Sequence, residues 1–309
     1  MKTPFSAARA LAPAALLAVL LSACSPTGDP IPPVSESAPK ASAPAGTGDV
    51  DSDDADERGP ADFGHIHGLH ADGDDLLIAS HHGLFVSGID GVGADGLMPD
   101  GNGPEPRGPL IDLMGFAAGG DALYASGHPG AGTDLPDPVG LLRSDDDGAT
   151  WEPLSRTGQS DFHALTAAAD AVVGFDGALV RSEDGQEWNT IAGPAAFALA
   201  GHPEGDTVLA TTQEGLWRSE DAGKTWVEPD GGPLLQYIAF ADPDTAVGIA
   251  PDGVIHVSED AGISWKAAGN AGEEPGAIAA AVREGDLHVW AAVGTAVVHS
   301  DDGGATFNG

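Results

Sequence analysis

Ser144-Asp145-Asp146-Asp147-Gly148-Ala149-Thr150-Trp151 recurs along the chain. Its serine, aspartate, glycine and aromatic return as Ser219, Asp221, Gly223 and Trp226, as Ser258, Asp260, Gly262 and Trp265, and as Ser300, Asp302, Gly304 and Phe307. A copy one residue shorter carries Ser182, Asp184 and Trp188. The starting serines are 38, 37, 39 and 42 residues apart. A period of about 40 residues marks stacked units that bury their apolar faces only against one another.

Short strand-like runs alternate with Gly and Asp turns from His65 onward, and no stretch sustains a helical period. Each unit reads as four strands, A to D, with the repeated pattern between C and D. Unit three has A at Phe162–Ala168, B at Ala171–Phe175, C at Ala178–Ser182 and D near Trp188. Unit four has Phe197–Gly201, Thr207–Thr211, Leu216–Ser219 and Thr225–Glu228; units five and six start near Leu235 and Gly276. Unit two starts near Ile111 and has a long B–C connection, His128–Val139. Unit one starts at His65, has its C strand at Leu84–Ser87, and carries a Gly- and Pro-rich insertion, Gly91–Pro109, where the Asp pattern is missing. Six four-stranded units predict an all-β, six-bladed β-propeller. The insertion is where a seventh, degenerate blade would have to hide, and about 20 residues is short for one.

The chemistry of the pattern suits a tight C–D hairpin. Ser and Asp side chains bond nearby turn amides. Gly supplies positive φ, and Trp is a large apolar anchor between blades. Ser-x-Asp-x-Gly-x-Thr-Trp resembles the Asp box (BNR repeat) of sialidases, sortilin-type propellers and photosystem-assembly-type propellers. That resemblance implies that ligand sites lie on the face opposite the C–D hairpins. Asp146, Asp184, Asp221, Asp260 and Asp302 therefore read as structural, and the arginines before the boxes, Arg143, Arg181 and Arg218, as solvated C-strand positions.

Outside the repeats, the N-terminus is informative. Lys2 and Arg9 precede an apolar run, Leu11–Leu21, and then Leu21-Ser22-Ala23-Cys24. The run is too short for a typical membrane span and suits a signal sequence. The tetrapeptide resembles a bacterial lipobox, which implies lipidation of Cys24, the only cysteine. Residues 1–23 are expected to be a lipoprotein signal peptide and residues 24–62 a disordered Pro-, Ser- and Asp-rich linker, with the propeller in residues 63–309. Such a coil reaches roughly 30–40 Å. The expected location is the outer face of the cell membrane, held only by the lipid. With 12 Lys+Arg against 48 Asp+Glu and a net charge of -36, the chain repels nucleic acid.

Function is sought where repetition breaks. Aligning A strands places His67 of Gly64-His65-Ile66-His67-Gly68-Leu69 over His163 of Ser160-Asp161-Phe162-His163-Ala164-Leu165. Aligning B–C turns places His82 of Ala79-Ser80-His81-His82-Gly83 over His128 of Ala125-Ser126-Gly127-His128-Pro129-Gly130. A-strand starts and B–C turns share one face, so His65, His67, His81, His82, His128 and His163 are expected at one rim, on blades one to three. Imidazoles converging there suit Zn²⁺ or Cu²⁺. The His128–Val139 loop, with Asp134 and Asp137, is placed to cover the site or add a carboxylate. His202 falls on the other face, and His256, His288 and His299 read as structural.

These histidine segments are similar to motifs of bacterial secreted Asp-box proteins commonly labelled glycosylhydrolase for their resemblance to sialidases. Sialidase chemistry needs an arginine cluster, a tyrosine nucleophile paired with Glu, and an acid/base Asp. Arg107, Arg143, Arg181, Arg218 and Arg283 are misplaced for it, and of the two tyrosines only Tyr237 is near an A-strand start. The expectation is a cell-surface lipoprotein propeller that binds a small ligand, a glycan, a transition metal or a protein partner at its histidine rim. The alternatives are a glycoside hydrolase acting on extracellular glycans and a non-catalytic assembly scaffold.

Overall fold

The structure, a computed structural model, describes residues 63–89, 104, 106–228 and 231–308. The signal peptide, Cys24, the linker and most of the Gly91–Pro109 insertion lie outside the described residues.

Six antiparallel sheets follow one another along the chain. Blade one is β1 (Ile66–Asp72), β2 (Asp75–Ser80), β3 (Gly83–Gly88) and β4 (Pro106–Arg107). Blade two is β5 (Ile111–Gly119), β6 (Ala122–Pro129), β7 (Leu141–Ser144) and β8 (Glu152–Ser155). Blade three is β9 (Ala164–Ala168), β10 (Ala171–Phe175), β11 (Leu179–Ser182) and β12 (Trp188–Thr190). Blade four is β13 (Ala198–Gly201), β14 (Val208–Thr211) and β15 (Leu216–Ser219). Blade five is β16 (Tyr237–Phe240), β17 (Ala246–Ile249), β18 (Val254–Ser258) and β19 (Lys266–Asn270). Blade six is β20 (Pro275–Arg283), β21 (Asp286–Val293) and β22 (Ala296–Ser300). The first strand of each blade touches the first strand of the next, and β20 closes onto β1, so the ring is a six-bladed propeller. The expected D strand of blade four shrinks to a single bridge, Arg218 with Val227, and blade six ends on another, His299 with Asn308. No seventh blade forms among the described residues. The end of the insertion instead supplies β4, where Pro106 and Arg107 pair with Phe85 and Leu84.

The repeated pattern closes each C–D hairpin through side chains. In the first copy Ser144 Oγ accepts from Gly148 N at 2.8 Å and donates to Asp146 Oδ1 at 2.8 Å. Asp146 also accepts from Thr150 N (2.8 Å) and Thr150 Oγ1 (2.7 Å). The copies at Ser219, Ser258 and Ser300 repeat this network, and the short copy offers Asp184 to Gln186 N and Glu187 N. The aromatic of each copy reaches back onto the preceding blade. Trp151 packs with Leu77 and Leu84, Trp188 with Leu141, Trp226 with Val173, Trp265 with Leu209 and Phe307 with Ile255.

Two of the three periodic arginines are not solvated, contrary to expectation. Arg181 Nε donates to Ala222 O at 2.7 Å, and Arg218 Nε to Ala261 O at 3.1 Å, each in the hairpin of the following blade. Their side chains are only 11% and 15% exposed, because the neighbouring blade closes over a C-strand position that a single sheet would leave open. Arg143 is the solvated one, paired locally with Asp145.

Blade one has no Asp pattern, and the seam it shares with blade six is filled differently. The glycines Gly223 and Gly262 sit on Val173 and Leu209 of the preceding blades, where an added Cβ would lie 2.9 and 2.7 Å away. Val173 and Leu209 each pair with the residue before the C-strand serine, and Trp290 has the same register, opposite His299. Among the described residues no glycine hairpin arrives from blade one, and the Trp290 indole, 0% exposed, packs in the seam with Leu76, Ile78 and Phe85. His288 and His299 stack on it, their rings 16° and 12° from its plane, as the structural role expected of them requires.

Candidate functional site at the histidine mouth

One end of the propeller carries the A–B turns and the C–D hairpins, joined by bonds such as Ala222 N to Asp206 O (2.7 Å) and Ala261 N to Asp244 O (2.8 Å). His70 and His202 line a small cavity of about 170 Å³ on the channel together with Phe240, and His202 is thus away from the rim, as expected. The other end carries the A-strand starts and B–C turns, tied by His81 N to His65 O at 3.1 Å. A further cavity of about 80 Å³ is lined by His67, His163, Leu69, Phe116, Leu165 and Ile278.

Three of the six predicted histidines pack together on blade one. The ring centroids of His67 and His81 are 4.7 Å apart, of His65 and His81 5.3 Å, and of His65 and His67 6.3 Å. A β-bulge places His67 there: Ile66 pairs with Ser80 and Gly68 with Ala79, which leaves His67 as the extra residue. A bulge re-aims a side chain and sharpens the local twist. A second bulge makes Met114 the extra residue of β5.

Carboxylates connect this group to blades two and three. His81 Nδ1 lies 3.5 Å from Asp112 Oδ1. His128 Nδ1 meets Asp137 Oδ1 at 2.6 Å, and its Nε2 meets Asp161 Oδ2 at 3.2 Å. His163 Nδ1 is 3.5 Å from the same Asp161 oxygen. Thus the His128–Val139 loop does add a carboxylate, Asp137, while Asp134 is exposed. His82 is exposed beside Gly64, one residue along the turn from His81. His67 and His163 face one cavity of about 470 Å³, which Met114, Asp161, Phe175, Asp176, Ala196, Phe197 and Tyr237 also line.

The electrostatics divide the mouth in two. Burial, and then the neighbouring His81, lower the His67 pKa to about 4, against a smaller upward pull from Asp112. His67 is therefore a neutral imidazole at pH 7. The hydrogen bond to Asp137 raises the pKa of His128 above the ordinary histidine value, with Asp161 adding to it. Three polar atoms at the mouth are buried with no hydrogen-bond partner: His67 Nε2, Asp112 Oδ1 and Asp161 Oδ1. Buried polar atoms are nearly always paired, so three orphans around one opening are unusual. As the rings stand, no three histidine, cysteine or carboxylate groups among the described residues are arranged to hold a metal ion.

Sequence reasoning passed over several of these residues. Asp112 and Asp161 sit at A-strand starts, the class of position that singled out His67 and His163, and the same search applied to carboxylates finds them. Asp176 lies in an Asp-Gly turn, where aspartate is ordinary. Arg156 carried no sequence signal. It adopts φ 57°, pairs with Asp176 at 3.1 Å, and lays its guanidinium 5.7 Å from the Phe162 ring centroid.

No protein-family profile matches the chain, and no curated protein matches it. Solved structures do. A GH74 xyloglucanase from Xanthomonas campestris aligns with TM-score 0.53 and 18% identity, over 79% of this chain and 37% of that one. An ancestral GH74 enzyme aligns with TM-score 0.50 and 12% identity, over 81% and 38%. YCF48 bound to a D1 peptide aligns with TM-score 0.49 and 19% identity, over 81% and 82%. The chain spans well under half the length of the two GH74 structures. At these identities the likeness is one of fold, and the fold is the β-propeller.

Proposed function

We propose that the protein is an exported lipoprotein, anchored through Cys24, whose propeller captures a ligand at the histidine- and carboxylate-lined mouth. The observation that carries this reading is that His67 and Asp161 line one cavity while His67 Nε2 and Asp161 Oδ1 are buried without a hydrogen bond, as is Asp112 Oδ1 beside His81. Leaving such atoms unpaired costs about 1–3 kcal/mol each, a cost that a bound ligand relieves. Phe197 supports it: it is 51% exposed, stands 5.4 Å from the Tyr237 ring, and walls the same cavity. The Asp-box resemblance gives the repeated hairpins a structural role at the opposite end, and the acidic surface keeps nucleic acid away.

A thermal-shift panel tests the reading with neutral and amino sugars, short peptides, and Zn²⁺ and Cu²⁺ chlorides. A ligand at 100 times its Kd stabilises by about 2.7 kcal/mol, or about 5–10 °C in Tm for a domain of this size. At least one class is expected to shift the native chain, with the shift lost in Asp161→Asn combined with His163→Gln. A panel in which no class shifts the native chain more than this variant overturns the reading.

Glycoside hydrolysis is the second reading, favoured by one observation: Asp161, Asp176 and Tyr237 share the cavity. Against a tyrosine nucleophile, burial raises the Tyr237 pKa above its ordinary value. Arg156, beside the cavity, is committed to Asp176 and Ser160. Turnover of chromogenic glycosides that disappears in Asp161→Asn would establish it.

A further inference from the structure

We propose that His65, His67 and His81 form a site for a divalent transition cation of the Zn²⁺ class, with Asp112 orienting His81 and the fourth position open to the cavity. The proposal rests on the ligand-binding reading of the mouth and names the ligand for one part of it.

The spacing of the rings is the main argument. An imidazole nitrogen binds Zn²⁺ at about 2.0–2.1 Å, so three rings on one tetrahedral ion place their centroids about 5 Å apart. The observed separations, 4.7, 5.3 and 6.3 Å, bracket that value. The ring planes are already splayed, by 44°, 78° and 42°, rather than stacked as the His288–Trp290–His299 rings are. What the group lacks is convergence of its nitrogens. The site forms if the rings turn about their side-chain torsions, while the backbone bond between His65 and His81 and the bulge at His67 stay as they are.

The remaining contacts fit a metal centre. His81 turns Nδ1 toward Asp112, which leaves its Nε2 for the ion, and a carboxylate behind a ligating histidine fixes its orientation and raises its basicity. His67 Nε2 is buried without a hydrogen bond, and a coordinate bond would satisfy it. Three imidazoles favour Zn²⁺, Co²⁺ or Cu²⁺ over Mg²⁺ and Ca²⁺, which take oxygen ligands. His67 also lines the cavity that holds Asp161 and His163, so a small anionic or hydroxyl-bearing molecule bound there would serve as the fourth ligand.

Isothermal titration of the full-length chain, without a histidine tag, against ZnCl₂ and CaCl₂ tests the site. A single Zn²⁺ is expected to bind, with no Ca²⁺ binding at the mouth. His67→Gln and His81→Gln should each weaken Zn²⁺ binding at least tenfold, Asp112→Asn about tenfold, and His256→Gln not at all. Co²⁺ added to the unmutated chain should give the visible absorption of a tetrahedral nitrogen site, a readout that does not depend on how the variants fold. Absence of that band, or Zn²⁺ affinity unchanged in both His67→Gln and His81→Gln, overturns the proposal. If Zn²⁺ fails while another class shifts the Tm through Asp161, the metal site alone falls. If every class fails, the ligand-binding reading falls with it.

Discussion

Arg181 of blade three donates its Nε proton to the carbonyl of Ala222 in blade four at 2.7 Å, a bond between residues 41 positions apart. Ala222 holds φ 53°, which turns its carbonyl toward the preceding blade. Arg218 and Ala261 repeat the arrangement across the next seam. A hydrogen bond from a charged donor contributes about 1.5–3 kcal/mol, and burial of the arginine stem adds packing. Arg181→Ala should therefore lower stability by about 2 kcal/mol in chemical denaturation. Arg143→Ala, whose exposed pair with Asp145 is local, should cost less than about 0.5 kcal/mol.

The seam between blades six and one depends on Trp290. Trp290→Ala leaves a cavity in a fully buried seam, and should destabilise by about 3–5 kcal/mol. Trp290→Phe keeps most of the volume and should cost clearly less. Urea denaturation of both variants checks the ranking.

Acid stability should follow the hairpin aspartates. Hydrogen bonds, first from the Ser264 side chain to Asp260 and from the Thr306 side chain to Asp302, hold both pKa values at about 2. The unfolded chain takes up these protons at about pH 3.9. The stabilisation is thus complete above about pH 4 and is lost as pH falls toward 2. Tm measured from pH 6 to pH 2 should drop steeply over the lower part of that range. Asp302→Asn should lower Tm at pH 7 and flatten the drop.

His128 behaves in the opposite sense. Its folded pKa is raised, mainly by the Asp137 hydrogen bond. Its contribution to stability is present below about pH 6.5, the unfolded value, and is lost as pH rises through the folded one. Titration by NMR should place the His128 midpoint above 6.5, and Asp137→Asn should bring it down.

The ruler for the fold was in the sequence. Ser182, Ser219, Ser258 and Ser300 mark the ends of C strands β11, β15, β18 and β22 as the repeat implied. The repeat register also put the histidines on one face: His65, His67 and His81 pack together, and His128 and His163 share Asp161. The rest depended on things that no single strand records. The bulge at His67 is an extra residue relative to β2, visible only in the pairing. The burial of Arg181 is a property of two blades together. Asp112 and Asp161 look like ordinary strand-start carboxylates until the ring closes over them. The triad on blade one and the separate His128–Asp161–His163 link are products of packing between blades.

The most direct test is a high-resolution crystal structure of the protein, read at His67 Nε2 and Asp161 Oδ1. A non-protein atom is expected within bonding distance of each. If both instead bond to groups of the protein itself, the mouth is a structural rim and captures no ligand.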